Sequence, residues 1–316
     1  MADLSVTLGG RRLRNAVMTA SGCGGSGREL HRFFDVAELG AVVTPSVSLA
    51  PRAGCGTPRL VETPCGVLSD TGLPGPGVTA FVAHELPWLR AVGATVLPSV
   101  AGSSPEEYAT VSAALSASPA FDCAIGVELN LSVASADGIP FDEDALAADA
   151  VVRRVRERLG DGRVVIVKLA VDAPDLVAVA AACVRAGADA LTIGNGARGT
   201  AVGLAPEPSA VVNGRLSGPA ARTLAVRAVW EVHRAMREGR VPTVPIVGVG
   251  GVRSGRDALE LITAGASAVQ VGSATFVDPR APARVRDELS DLLDSTGHRA
   301  LGEAIATAHR RQERNS

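Results

Sequence analysis

The sequence predicts one α/β domain spanning residues 1–316, built as a (β/α)8 TIM barrel. Three observations carry this expectation. Eight short apolar runs alternate with longer helical patterns along the chain. The runs are apolar nearly throughout, as parallel strands covered by helices should be. Two long Gly- and Pro-rich stretches interrupt the alternation, at 49–79 and 200–219, where a barrel carries the loops that roof its mouth. The length of 316 residues also suits a single barrel of about 250 residues or more.

An N-terminal hairpin is expected first: residues 4–8, a Gly9-Gly10 turn, and residues 11–14, because a Gly-Gly pair favours a two-residue turn. The barrel strands follow at 16–19, 41–44, 95–100, 125–130, 164–169, 190–193, 245–249 and 268–271. Helices are expected between them at 105–116, 144–159, 174–186, 222–236 and 255–264. Pro105 and Pro174 sit where a first-turn proline belongs. Ser104 before Glu106-Glu107 reads as a capped, acid-rich helix start. The Arg310-Arg311-Gln312-Glu313-Arg314 run reads as a frayed, solvated end.

Hydrophobic residues make up 47% of the chain but aromatics only 3%, so the core must be built from Ala, Val and Leu. A net charge of −2 gives no electrostatic reason for a nucleic acid or an anionic membrane as partner. No apolar run approaches the ~20 residues that span a bilayer, and Met1-Ala2-Asp3-Leu4 lacks the basic start of a signal peptide. A cytoplasmic protein with a small-molecule substrate is expected. The five cysteines (Cys23, Cys55, Cys65, Cys123, Cys183) and five histidines are scattered without metal-ligand spacing, so reduced thiols and no metal site are expected.

Chemistry concentrates at the strand ends. The 248–251 turn follows the seventh strand and Gly272-Ser273 the eighth, with Ser217-Gly218-Pro219 before them. In many barrels the amides of these loops hold a phosphate. Ala20-Ser21-Gly22, Asn130, Lys168 and Asn195 add polar groups to the same mouth. Lys168 stands out because it is the only lysine among 31 Lys+Arg, inside the apolar run 164–171. A buried ammonium needs an anion or a ring of acceptors. It reads either as a barrel-interior lysine paired with an acid, or as a lysine aimed at a bound anion or cofactor.

The motifs Ala20-Ser21-Gly22-Cys23-Gly24, Leu86-Pro87-Trp88-Leu89, Val100-Ala101-Gly102-Ser103, Glu128-Leu129-Asn130-Leu131-Ser132, Val167-Lys168-Leu169, Leu216-Ser217-Gly218-Pro219 and Ala264-Gly265-Ala266-Ser267-Ala268 together make the chain resemble class 1 dihydroorotate dehydrogenases. It is most similar to the catalytic subunit of the NAD-linked subclass. The resemblance implies an FMN cofactor, a homodimer, and an iron–sulfur flavoprotein as a further partner. It implies that Ala20, Ser21, Gly22, Pro45, Ser46, Ser99, Asn130, Lys168 and Gly194 surround the flavin. Ser217, Gly218, Gly250, Gly251, Gly272 and Ser273 would hold its phosphate side. The substrate would meet Ser69, Asp70, Thr71, Gly72 and Leu73 from one loop, and Asn130, Asn195 and Gly196 from strand ends.

Several positions depart from the family pattern. The cysteine that takes the substrate proton falls on Val133, and an asparagine two residues on falls on Ser135. A lysine that touches flavin and substrate falls on Pro45, and two asparagines fall on Ser69 and Ser99. The asparagine-threonine pair after the sixth strand reads Asn195-Gly196. A positioned base contributes roughly 10²–10⁴-fold. The expectation is therefore an FMN-dependent oxidoreductase acting on a different, less acidic substrate than dihydroorotate. Two alternatives stand beside it: a flavin-binding subunit or regulator without catalysis, and an authentic dihydroorotate dehydrogenase with a relocated base. Cys65, Asp70 and Ser132 are the candidates for such a base.

Overall fold

A computed structural model of the chain describes residues 2–203 and 211–315. The eight expected strands are present, at Val17–Thr19, Val42–Val43, Val96–Leu97 with Ser99–Val100, Gly126–Asn130, Val164–Ala170, Ala190–Asn195, Ile246–Val249 and Ala268–Val271. Seven of these positions pair in one parallel sheet that runs from the first strand through the eighth, seventh, sixth, fifth and fourth to the third. The second strand pairs with Val96–Leu97, and a Met18–Ala41 bridge joins it to the first, so the ring closes. The third strand is split at Pro98, which has no N–H to give to the ladder. Val164–Ala170 is buried at every position, as a strand between barrel interior and helix layer must be.

The helix starts follow local side-chain chemistry. Ser104 accepts from the Glu107 amide at the head of Pro105–Ser116, and Asp144 from the Leu146 amide at the head of Ala145–Leu159. Ser254 and Asp257 form a reciprocal capping box at Gly255–Ala264. The helix expected at 174–186 begins instead at Leu176. Asp175 caps it through the Ala178 amide, so Pro174 lies before the cap and outside the first turn. The N-terminal hairpin forms as expected, from Val6–Leu8 and Arg11–Leu13.

Two expectations are corrected. The stretches 49–79 and 200–219 are irregular only in part. Leu60–Thr63, Gly66–Ser69, Arg198–Val202 and Val211–Ser217 join as a four-stranded antiparallel sheet over the barrel mouth. Its small core is Val61, Leu68, Ala201 and Val212. The part of the second stretch at 204–210 lies outside the described residues. The C-terminal arginine run is solvent-exposed as expected at Arg310, Arg311 and Gln312, but it is helical, lying in Thr307–Asn315. That helix is docked by His309, whose buried ring stacks on Trp230 at a centroid distance of 3.5 Å and donates from Nε2 to the Ala264 carbonyl, 3.0 Å away.

His233 lies 4.6 Å from His309, centroid to centroid. Burial, followed by the charges of His309, Arg237 and Arg310, pushes its pKa down from 6.5 to about 4. Below pH 6.5 the unfolded chain therefore gains a proton that the folded chain refuses until about pH 4. Stability should fall across that window and level off beneath it. Thermal midpoints measured from pH 7.5 to 4.5 should decline in the unmodified protein and decline less in His233→Gln. Parallel slopes in the two would contradict this.

Candidate active site

Inside the barrel, alternate strands contribute one polar layer. Glu128 of the fourth strand is wholly buried. Its Oε2 accepts from Thr192 Oγ1 at 2.9 Å and from Gln270 Nε2 at 2.7 Å, on the sixth and eighth strands. Its Oε1 has no hydrogen bond among the described residues and faces Lys168 Nζ at 3.8 Å. Lys168 Nζ also lies 3.4 Å from Gln270 Oε1. The lysine is thus a barrel-interior ion-pair partner, as one of its two sequence readings has it. It is also near the mouth: burial pushes the Cys23 thiol pKa up, and the Lys168 charge pulls it down. Cys23 follows directly on Ala20-Ser21-Gly22.

Above this layer a chain of hydrogen bonds crosses four strand ends. Ser46 Oγ and Ser99 Oγ are 3.0 Å apart, Asn130 Nδ2 donates to Ser46 Oγ at 3.2 Å, and Asn195 Nδ2 donates to Asn130 Oδ1 at 2.9 Å. Thr44 Oγ1 donates to the Pro45 carbonyl and accepts from the Ser99 amide. The Tyr108 hydroxyl holds the Asn130 carbonyl from outside at 2.6 Å. Beside the chain opens a cleft of about 280 Å³ walled in part by Pro45, Ser46, Val47, Pro76 and Phe81.

The glycine turn is shorter than expected, because Gly248 and Val249 belong to the strand Ile246–Val249. Gly250 and Gly251 make the turn, with φ of 125° and 68°. A Cβ on either would fall 2.9 Å from Ala225 Cβ or 2.6 Å from Arg222 Cβ, so only glycine lets this backbone lie against helix Arg222–Arg237. Gly194 is tighter still, since its Cβ would lie 1.7 Å from the Val249 carbonyl oxygen. The hydrogen bonds among described loop residues leave the amides of Gly250, Gly251 and Gly272 without a carbonyl acceptor. Free amides on two adjacent loops, with a cation and a row of hydroxyl and amide groups across the mouth, fit a phosphate-bearing, polar-ringed cofactor such as FMN. Ser217 lies at the end of a roof strand, where its Oγ donates to the Val67 carbonyl at 3.3 Å, and Gly218 follows it.

The other expected positions are distributed as follows. Ser69 Oγ donates to the Arg215 carbonyl across the roof sheet. Thr71 Oγ1 accepts from the Leu73 amide, and Gly72 packs on Cys55, where a Cβ would meet the Cys55 nitrogen at 2.5 Å. Asp70 is turned to Cys55, whose Sγ donates to it at 3.4 Å. Cys65 is exposed at the turn between Leu60–Thr63 and Gly66–Ser69. The Ser132 hydroxyl is held at 2.5 Å by Asp142, a buried carboxylate that also takes the Ala170 amide. Val133 meets Phe141 through its backbone carbonyl and has no side-chain atom able to take a proton. Ser135 closes an outer turn with Asp137 and Ile139. No group of His, Cys, Asp and Glu among the described residues is placed to hold a metal.

Sequence reasoning missed Glu128, Gln270, Asp142, Asp172 and Arg215. A lone Glu and a lone Gln in apolar runs were legible signals. Asp172 and Arg215 had none, because only the fold brings them to 3.5 Å.

A family model described as dihydroorotate dehydrogenase matches residues 3–293. The catalytic subunit of dihydroorotate dehydrogenase B (NAD(+)) from Geotalea daltonii is 42% identical over 307 residues, covering 96% of this chain and 97% of the relative. The same subunit from Geobacter sulfurreducens is 41% identical with the same coverage. Among solved structures, DHODH from Eimeria tenella in complex with ferulenol matches at a TM-score of 0.81 and 20% identity, covering 98% of this chain and 89% of that one. That last likeness is one of fold.

Replacing Lys168 with Met should strand a wholly buried carboxylate and cost about 3–5 kcal/mol. Adding Glu128→Gln should recover most of the loss, since the remaining amide needs no cation. Chemical-denaturation midpoints of the two variants check this. A single variant as stable as the parent would show that the pair bears no load.

Proposed function

This chain belongs to the dihydroorotate dehydrogenase family, and on that footing we propose that it is an FMN-dependent oxidoreductase whose substrate differs from dihydroorotate. The observation that carries the substrate reading is Val133, which stands where the family's proton acceptor falls. Pro45, Ser69, Ser99 and Ser135 stand where the family pattern carries further orienting groups. When bound, FMN supplies a hydride acceptor or donor to a substrate carbon. The free amides of Gly250, Gly251 and Gly272 would hold its phosphate. Ser46, Ser99 and Asn130 would orient its ring, and Lys168 would stabilise negative charge on the ring edge beside it. Ser132 is tied to buried Asp142, which orients its hydroxyl away from free rotation.

A second reading has its own support. Relatives about 41% identical over nearly the whole chain bear the name dihydroorotate dehydrogenase B, and the comparisons lean to that activity. Under it the protein is an authentic dihydroorotate dehydrogenase with the base moved to Cys65, Asp70 or Ser132. A flavin-binding role without catalysis gains nothing from these relatives. Because they are named catalytic subunits linked to NAD(+), we also propose that this chain passes electrons to a partner subunit, an iron–sulfur flavoprotein, and that it works as a homodimer in the cytoplasm. Among the described residues, no helix is long and apolar enough to cross a membrane.

One experiment separates the readings. The purified protein should be yellow and release FMN on heating. Mixed anaerobically with dihydroorotate, it should keep its flavin oxidised on a timescale of minutes, and Val133→Cys alone should change little. The combined variant Pro45→Lys, Ser69→Asn, Val133→Cys, Ser135→Asn should respond better, because misplacement alone can cost about 10²-fold. Rapid bleaching of the unmodified protein would establish the second reading. In the Lys168→Met, Glu128→Gln pair, whose stability is recovered, the flavin potential should still lie below the parent's. An unchanged potential would leave the lysine a purely structural role.

A further inference from the structure

We infer that Arg215 recognises an anionic group of the substrate, so that the molecule taken here is a carboxylate. The inference deepens the reading above and rests on it for the position of the pocket. Read from the sequence, serine for asparagine and proline for lysine point to a less acidic substrate. Arg215 reverses that expectation.

Arg215 lies on Val211–Ser217, in register with Ser69 of the neighbouring roof strand and with Arg198 on the other side. Its side chain is 24% exposed and reaches down onto the strand ends. Nη1 donates to the Gly196 carbonyl at 2.8 Å and Nη2 to the Ser132 carbonyl at 3.3 Å. Those carbonyls follow directly on Asn195 and on Asn130-Leu131, whose strand ends carry the Asn195–Asn130 hydrogen bond. The guanidinium therefore spans the two strands that supply the rim's amides, beside the position held by Val133. It is fixed there by backbone atoms, which suits a rigid fork meant to receive two oxygens.

Its charge is only loosely answered. Asp172 Oδ1 stands 3.5 Å from Nη1 and makes no hydrogen bond among the described residues. Asp172 Oδ2 is committed to Arg198, accepting from its amide at 2.9 Å and its Nε at 3.2 Å. Burial acts to raise the Asp172 pKa, but those bonds and the nearby Arg215 hold it below the usual carboxylate value. Arg198 also pairs with Glu143. Arg198 thus contacts both acids of the network, and Arg215 faces the one Asp172 oxygen that Arg198 leaves. A guanidinium has five N–H donors, and the two carbonyls take one each. Its Nε–H and the second Nη2 hydrogen have no hydrogen-bond partner among the described residues, which leaves donors for an oxyanion.

The test is calorimetric titration of the FMN-bearing protein with two matched pairs of probes: orotate against uracil, and benzoate against benzyl alcohol. The unmodified protein should bind the acid of at least one pair about tenfold or more tighter than its uncharged partner. Arg215→Gln should bring that ratio to within about twofold at unchanged FMN content, and Arg215→Lys should restore part of it. No acid preference in the unmodified protein overturns the inference. So does a preference that survives in Arg215→Gln, even where that variant melts earlier, for then the arginine only braces the roof. A yellow protein without the preference fails this inference alone. A colourless protein that takes up no FMN fails the flavoprotein reading, and this inference with it.

Discussion

The wholly buried Glu128 is the constraint on which the arrangement of the mouth depends. A carboxylate in a barrel interior must be answered by donors and a cation from other strands, and here Thr192, Gln270 and Lys168 answer it. These four residues lie on the fourth, sixth, eighth and fifth strands. A slip of one residue in any of those strands would turn its polar group out toward the helices. The layer therefore pins register, and with it the height of every strand end above it. Asn130 and Asn195 meet because the strands that carry them are held at matched heights by the layer below. The pair's contribution to stability is modest by nature; its contribution to uniqueness is what the rim requires.

Much of the fold was legible because it is written in period and punctuation. Eight apolar runs, the capped helix start at Ser104 and glycines at strand ends are local signals, and the barrel follows from them. The roof sheet was not legible. Its strands are short, carry Gly66 and Gly214, and alternate a few buried residues with exposed ones, which at this length resembles loop composition. The C-terminal helix was less legible for a related reason: its outer residues are charged, and it is anchored by one buried residue, His309, through Trp230 and the Ala264 carbonyl.

The site divided in the same way. Positions fixed by backbone shape, such as the glycine turns and the strand-end asparagines, could be named from sequence. The dual setting of Lys168 could only be stated as two readings, because its partner Glu128 is 40 residues away along the chain. Arg215 was invisible, since an arginine in an arginine-rich chain carries no distinction until the fold sets it over Ser132 and Gly196. Substitution at the mouth is thus not simple loss. The strands keep their amides while the charge that meets the ligand comes from the roof.

The roof sheet unites segments from two distant parts of the chain, around residues 60–69 and 198–217. The two hairpins share one small core, in which Val61 and Leu68 bury with Ala201 and Val212. The two insertions therefore cannot drift independently under selection. A change in one that alters the shape of the shared core must be matched in the other, while the barrel meets the roof through a few contacts such as those of Arg215 with the Gly196 and Ser132 carbonyls. New ligand preferences on this scaffold should arise as paired exchanges of the two insertions, inherited together as a cassette.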